Sequence, residues 1–273
     1  MRDRIGERFA SLGGRAALVT FVTAGDPSPE LQPAILEALV AGGADLVELG
    51  MPFTDPMADG PSIQAANLRA LAAGITLRQL LAIVRDFRTQ DDATPIVLMG
   101  YVNPVLAHGP TFARDAADAG IDGVILVDLP PEEADEVAPA LREAGIRLIR
   151  LATPTTDARR LPAVLEGASG FLYHVAVAGI TGQKSAAEET VRAAVARLKA
   201  ATDLPVAVGF GVRTAEQAEA IARHADAVVV GSAIVDLIGA AAERKSNDIP
   251  GEVRAFVATL AAGVRGARAR QAA

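Results

Sequence analysis

The chain has 273 residues, 51% hydrophobic and 22% charged, which supplies material for a large core and excludes disordered, collagen-like and low-complexity classes. Its formal net charge of −7 argues against electrostatic capture of nucleic acid or an anionic membrane and otherwise serves solubility. With no cysteine there is no disulfide framework, thiol nucleophile or thiolate metal site, and the three histidines, His108, His174 and His224, are too scattered for a zinc cluster.

From the start, MRDRIGERFASLGGR mixes acids with bases and holds no apolar stretch of signal length. No later segment reaches the roughly 18 uninterrupted apolar residues of a membrane helix. The chain is read as cytoplasmic. Short β-branched apolar runs then alternate with longer helical segments, the signature of a parallel sheet. Strands are predicted at 17–23, 46–49, 95–99, 123–127, 147–152, 170–175, 205–208 and 227–230. Eight is the number that closes a (β/α)8 TIM barrel.

Helices are predicted at 29–41, 77–88, 112–119, 131–144, 157–165, 188–200, 215–222 and 233–243. Thr214 and Ser232 are each placed to cap the helix that begins at the next residue, and several helices run into glycine before the next strand. Segments 2–12 and 251–270 read as extra N-terminal and C-terminal helices, packed outside or below the barrel. No flexible linker divides the chain, so a single domain over 1–273 is expected, with the barrel at about 16–243. Arg265, Arg268 and Arg270 in the tail read either as a partner surface or, preferred here, as cations that complement the dipole of a final helical turn.

The segment 46–61, LVELGMPFTDPMADGP, carries three carboxylates where a core strand and turn need none. Glu48 lies inside an apolar strand, where an unpaired acid is costly unless it is hydrogen-bonded or protonated. Asp55 and Asp59 follow on a proline-stiffened loop. Asp59 reads equally as a cap for a helix near Pro61 or as a site carboxylate. Carboxylates at the C-terminal tips of parallel strands are a common basis for acid/base catalysis.

The turns Gly209-Phe210-Gly211 and Gly231-Ser232 follow the seventh and eighth predicted strands, where backbone N–H groups of such barrels often bind phosphate; each alone is also an ordinary tight turn. Segment 176–189, AVAGITGQKSAAEE, reads either as a lid hinged at Gly179 and Gly182 or as a surface loop. Strand alternation turns Tyr173 inward and His174 outward to the helix layer. Tyr101 and Asn103 either line the same mouth or serve turn chemistry.

Residues 47–61, VELGMPFTDPMADGP, closely resemble the signature of tryptophan synthase alpha chains, as do 21–27 (FVTAGDP), 99–104 (MGYVNP), 128–130 (DLP), 179–182 (GITG) and 209–212 (GFGV). The likeness runs from about Arg4 to Leu260. It implies a TIM-barrel lyase of tryptophan biosynthesis that cleaves indole-3-glycerol phosphate to indole and glyceraldehyde 3-phosphate by a retro-aldol reaction. No cofactor or metal is implied in this chain. A pyridoxal-phosphate beta chain, joined in an alpha2beta2 heterotetramer, would receive the indole and join it to serine.

By the same resemblance, Glu48 is the acid/base and Asp59 holds the indole N–H. Tyr173 and Thr181 contact the substrate, Phe21, Met99 and Phe210 wall the indole pocket, and Tyr101 lines its mouth. Gly182, Gly211, Gly231 and Ser232 form the phosphate cradle, and Asp55 faces the partner. The chain departs from the family pattern at Ala176-Val177-Ala178, which lacks the serine usual at the first position. Two other readings keep the same residues: a stand-alone indole-releasing lyase, and a catalytically silent regulatory subunit, against which intact Glu48, Asp59 and phosphate glycines argue.

Overall fold

The computed structural model describes residues 2–176, 184–209 and 211–269. Parallel strands β1 (Ala17–Thr23), β2 (Leu46–Gly50), β3 (Ile96–Gly100), β4 (Gly123–Leu126), β5 (Arg147–Leu148), β6 (Arg150–Ala152), β7 (Leu172–Val175), β8 (Val206–Gly209) and β9 (Ala227–Val230) form one sheet in the order β5-β4-β3-β2-β1-β9-β8-β7-β6. The predicted fifth strand is thus two segments. β5 pairs with β4 and β6 with β7, and the ring closes through the chain at Ile149, whose N–H donates to the Val124 carbonyl at 3.0 Å. Eight staves result, as the sequence pattern predicts.

The helices are α1 (Arg4–Ser11), α2 (Gln32–Gly42), α3 (Pro61–Ala72), α4 (Leu77–Phe87), α5 (Val102–His108), α6 (Phe112–Ala119), α7 (Ala138–Glu143), α8 (Leu161–Leu165), α9 (Lys184–Lys199), α10 (Ala215–Ala222), α11 (Ser232–Glu243) and α12 (Ile249–Ala269). Prolines account for most differences from the periodicity. Pro33, Pro139 and Pro162 each sit in a first helical turn, where their missing N–H is harmless. The first two separate α2 and α7 from the short 3-10 turns Pro29–Leu31 and Pro131–Glu136, and the third sets the late start of α8. Helix α5 is an addition to the predicted set, and α3 is the helix anticipated near Pro61 without bounds. Thr214 caps α10 in a reciprocal box with Gln217. Ser232 does not cap α11; Gly231 occupies that position without a side-chain bond, and Ser232 is the first helical residue.

Alternation along the strands divides the core in two. One face, including Val19, Leu46, Val97, Ile125, Ile149, Phe171 and Tyr173, fills the barrel; the other, including Leu18, Val22, Val47, Leu49 and Leu98, packs under the helices. The lower opening is stoppered by α1: Ile5 is fully buried within the interior cluster, and the Phe9 and Phe171 rings lie 6.0 Å apart. Helix α12 packs outside the barrel against α2 and α10, and Arg265 donates to the Gly43 carbonyl. No single helix among the described residues is long and apolar enough to cross a membrane.

Carboxylates pin the lower rim. Asp45, Asp122 and Asp226 accept from the N–H groups of Leu18, Ile96 and Val206 at 2.8–2.9 Å. Asp122 also pairs with Arg4 and Arg88 at 3.0 and 2.8 Å, although its carboxylate and the Arg88 guanidinium are nearly sealed from solvent. Removing one partner of such a cluster strands the others without compensation. Asp122→Ala should therefore lower the unfolding free energy by about 3–5 kcal/mol in urea melts, and a loss within the range of an exposed pair would contradict the clamp.

Candidate active site

At the upper rim, β1, β2 and β3 bring Phe21, Glu48 and Val97 into register. Glu48 falls on the inward face because Leu46 does, two residues earlier. Its side chain is fully buried, and neither carboxyl oxygen has a hydrogen-bond partner among the described residues. Burial alone pushes its pKa up to about 8, so at neutral pH the group is mostly protonated and still able to exchange its proton. Tyr173 on β7 projects into the same interior; burial, then the charge of Glu48, raises its hydroxyl pKa. His174 faces the other way, its Nδ1 against the Ala152 carbonyl at 3.2 Å, and burial lowers its pKa, as fits a structural residue.

Glycines hollow the rim above Glu48. A Cβ at Gly209 would collide with the Tyr173 hydroxyl, and one at Gly50 would lie 2.6 Å from the Phe21 ring. Met99 and Phe21 border this space together with Ala66 of α3 and Val235 of α11.

Asp59 is half-buried on the loop before α3. Gly60 takes the N-cap position and α3 has no side-chain cap, so Asp59 does not serve as the cap. Its Oδ2 instead accepts from Asn67 Nδ2 at 3.0 Å. Burial raises its pKa, and bonds from Asn67 and the Tyr101 hydroxyl oppose that rise. Tyr101 is 2% exposed, and its hydroxyl accepts from the Ala58 N–H at 3.0 Å, which ties the loop down; burial, reinforced by Asp59, pushes its own pKa to about 12. Phe53 lies against the same ring, with centroids 5.2 Å apart. Asp128 accepts from the Val102 N–H at 2.9 Å and fixes the start of α5 beside Tyr101. Asn103 is exposed on α5, away from turn chemistry.

Elsewhere on the same upper rim, Gly211 adopts φ +60°, a conformation that favours glycine. Gly231 and Ser232 open the twelve-residue α11, whose first N–H groups have no intrahelical acceptors. Arg213 pairs with Asp236 of α11 at 2.9 Å and links the two turns. Thr181, Gly182 and Phe210, with most of the predicted lid, lie outside the described residues. Asp55 is exposed and accepts from the Thr54 hydroxyl at 2.5 Å. Among the described residues no group of three or more His, Asp or Glu is gathered to hold a metal. Sequence reasoning missed Asn67, for which the lone asparagine among alanines in AANLRALA is the only hint, and gave no role to Asp128 although it opens the DLP motif; each acts on a partner in another element.

A parallel β/α barrel with a buried, unpaired carboxyl at the C-terminal rim, and glycine turns after its last two strands, defines a TIM-barrel enzyme. The family profile for tryptophan synthase alpha chain matches residues 9–265. The chain belongs to this family. It is 64% identical over 273 residues to the tryptophan synthase alpha chain of Rhizorhabdus wittichii, covering 99% of each. Among solved structures, the alpha subunit from Legionella pneumophila superposes with TM-score 0.90 at 40% identity, over 97% of this chain and all of that one. A tryptophan synthase chain from M. tuberculosis gives TM-score 0.84 at 38% identity, over 97% of this chain and 100% of that one.

Proposed function

We propose that Glu48 and Asp59 carry the family's reaction in this chain, the cleavage of indole-3-glycerol phosphate to indole and glyceraldehyde 3-phosphate. Protonated Glu48 delivers its proton to indole C3, and the ring becomes an electron-poor iminium whose N–H is held by the Asp59 carboxylate. Glu48, now ionised, takes the proton of the hydroxyl on the adjacent side-chain carbon. The C–O bond becomes a carbonyl, the bond to C3 breaks, and its electron pair returns to the ring. Glu48 ends protonated, as it began. The observation that carries this reading is the sealed, unpartnered Glu48 carboxyl with its pKa near 8, close to the working pH that general acid/base catalysis favours.

Phe21, Met99 and Phe210 wall the indole in this reading, Tyr101 and Tyr173 line its pocket, Thr181 closes over it, and Gly182, Gly211, Gly231 and Ser232 receive the phosphate. The partner is a beta chain that holds pyridoxal phosphate, in a cytoplasmic alpha2beta2 assembly. Exposed Met57, 83% accessible and bonded through its N–H to the Asp55 carbonyl, suits an apolar contact at a docking face. Purified chain assayed with indole-3-glycerol phosphate should release indole, and adding beta chain should raise the rate. Equal rates with and without the beta chain would sink the complex reading, and no release in either case the lyase reading.

A further inference from the structure

Helix α3 has little apolar bulk to hold it: its buried residues are Ala66, Asn67 and Ala70, and its N-terminus carries no side-chain cap. Small side chains leave rotational slack, so polar bonds must set its position. Arg69 makes the strongest of them. It donates from Nε to Asp26 Oδ1 at 2.7 Å and from Nη2 to Asp26 Oδ2 at 2.9 Å. The Asp26 carboxylate, just beyond β1, is 1% exposed. A bidentate fork fixes orientation as well as distance.

The same guanidinium lies in a notch on α11. A Cβ at Gly239 would stand 3.0–3.1 Å from its Nη1, Nη2 and Cζ atoms. Asp236 and Glu243, also on α11, act on it electrostatically after Asp26. Arg69 therefore ties α3 at once to the end of β1 and to the helix whose N-terminus forms the phosphate cradle. Two residues earlier on α3, Asn67 donates to the Asp59 carboxylate.

We propose that Arg69 is a positioning residue for the cleavage: by clamping α3 to Asp26 and into the Gly239 notch, it sets Asn67 and, through Asn67, aims the Asp59 carboxylate. The inference rests on the reading of Asp59 as the acceptor for the indole N–H. Burial of a charged pair alone gives little net stability, whereas a fixed direction is what such a pair supplies well. Gly239→Ala is a complementary probe, because alanine favours the helix and the substitution removes no charge while its Cβ presses on the guanidinium at close contact.

The test is steady-state cleavage of indole-3-glycerol phosphate by purified Arg69→Gln, Arg69→Lys and Gly239→Ala chains, each with and without Asn67→Ala, after thermal melts confirm folding. Arg69→Gln should lower kcat about tenfold with KM changed less than about threefold, Arg69→Lys and Gly239→Ala less severely. In the Asn67→Ala background the same changes should alter kcat by less than about twofold, since the link through which they act is gone. A folded Arg69→Gln chain with wild-type kcat, or full additivity with Asn67→Ala, overturns the proposal. If Asp59→Asn keeps wild-type turnover, the reading of Asp59 fails and the proposal with it; impaired Asp59→Asn beside unimpaired Arg69→Gln removes the proposal alone.

Discussion

Glu48→Gln should abolish indole release, with kcat lowered at least about 1,000-fold, while the chain still folds and still binds glycerol phosphate. Glutamine keeps the shape of the side chain and cannot pass a proton in either direction. In the proposed mechanism both proton transfers run through this one group, so nothing remains to replace it. The substitution should also change stability with a definite sign. A folded-state pKa near 8, against an ordinary glutamate value of 4.5, means that the folded chain binds the proton more tightly than the unfolded one. The wild type therefore carries no penalty from this group below pH 4.5, a growing one up to about pH 8, and a constant one above. Relative to wild type, Glu48→Gln should be about equally stable at pH 4 and more stable by a few kcal/mol at pH 9. Urea melts at the two pH values decide it, and retained turnover or pH-independent stability would each remove the role given to Glu48.

Asp59→Asn should lower kcat by about 100-fold, less than the loss at Glu48. The amide can still meet Asn67, so the loop should hold its shape. What disappears is the negative charge that, in the proposed mechanism, faces the indole N–H as the ring turns cationic. The pH profile carries a further signature. With the Asp59 pKa raised by burial, activity falls on the acid side as Asp59 takes up a proton. On the alkaline side it falls as Glu48 loses one. In Asp59→Asn the acid limb should vanish and the alkaline limb remain. Unchanged kcat in this variant would reduce Asp59 to an ordinary loop carboxylate.

The parts of this molecule that were legible in the sequence are those written in local patterns. The β-branched runs gave all eight staves because each buried strand must be apolar on both faces. Only the interruption at Ile149 was hidden, since it depends on which neighbour each half of the stave meets. Helix α3 was anticipated near Pro61 but given no bounds, because its packed face is alanine and asparagine, which carry no hydrophobic stripe. Helix α5 escaped because Asn103-Pro104 imitates a turn. Glu48 could be found by physics alone, as a carboxylate with no local reason to be in a strand. Asp59 could not be told from a helix cap until Gly60 was seen to fill that position, and its assignment owed more to family resemblance than to pattern. Contacts such as Asn67 with Asp59 or Arg69 with Asp26 join residues that no periodicity connects.

The most direct test is to titrate Glu48 itself. Difference infrared spectroscopy of wild type against Glu48→Gln, between about pH 5 and 9.5, isolates the stretch of its protonated carboxyl. The band should persist at neutral pH and disappear with a midpoint near pH 8. A carboxyl already ionised at about pH 5.5 would contradict the account, because a glutamate in that state has no proton to give to the indole ring.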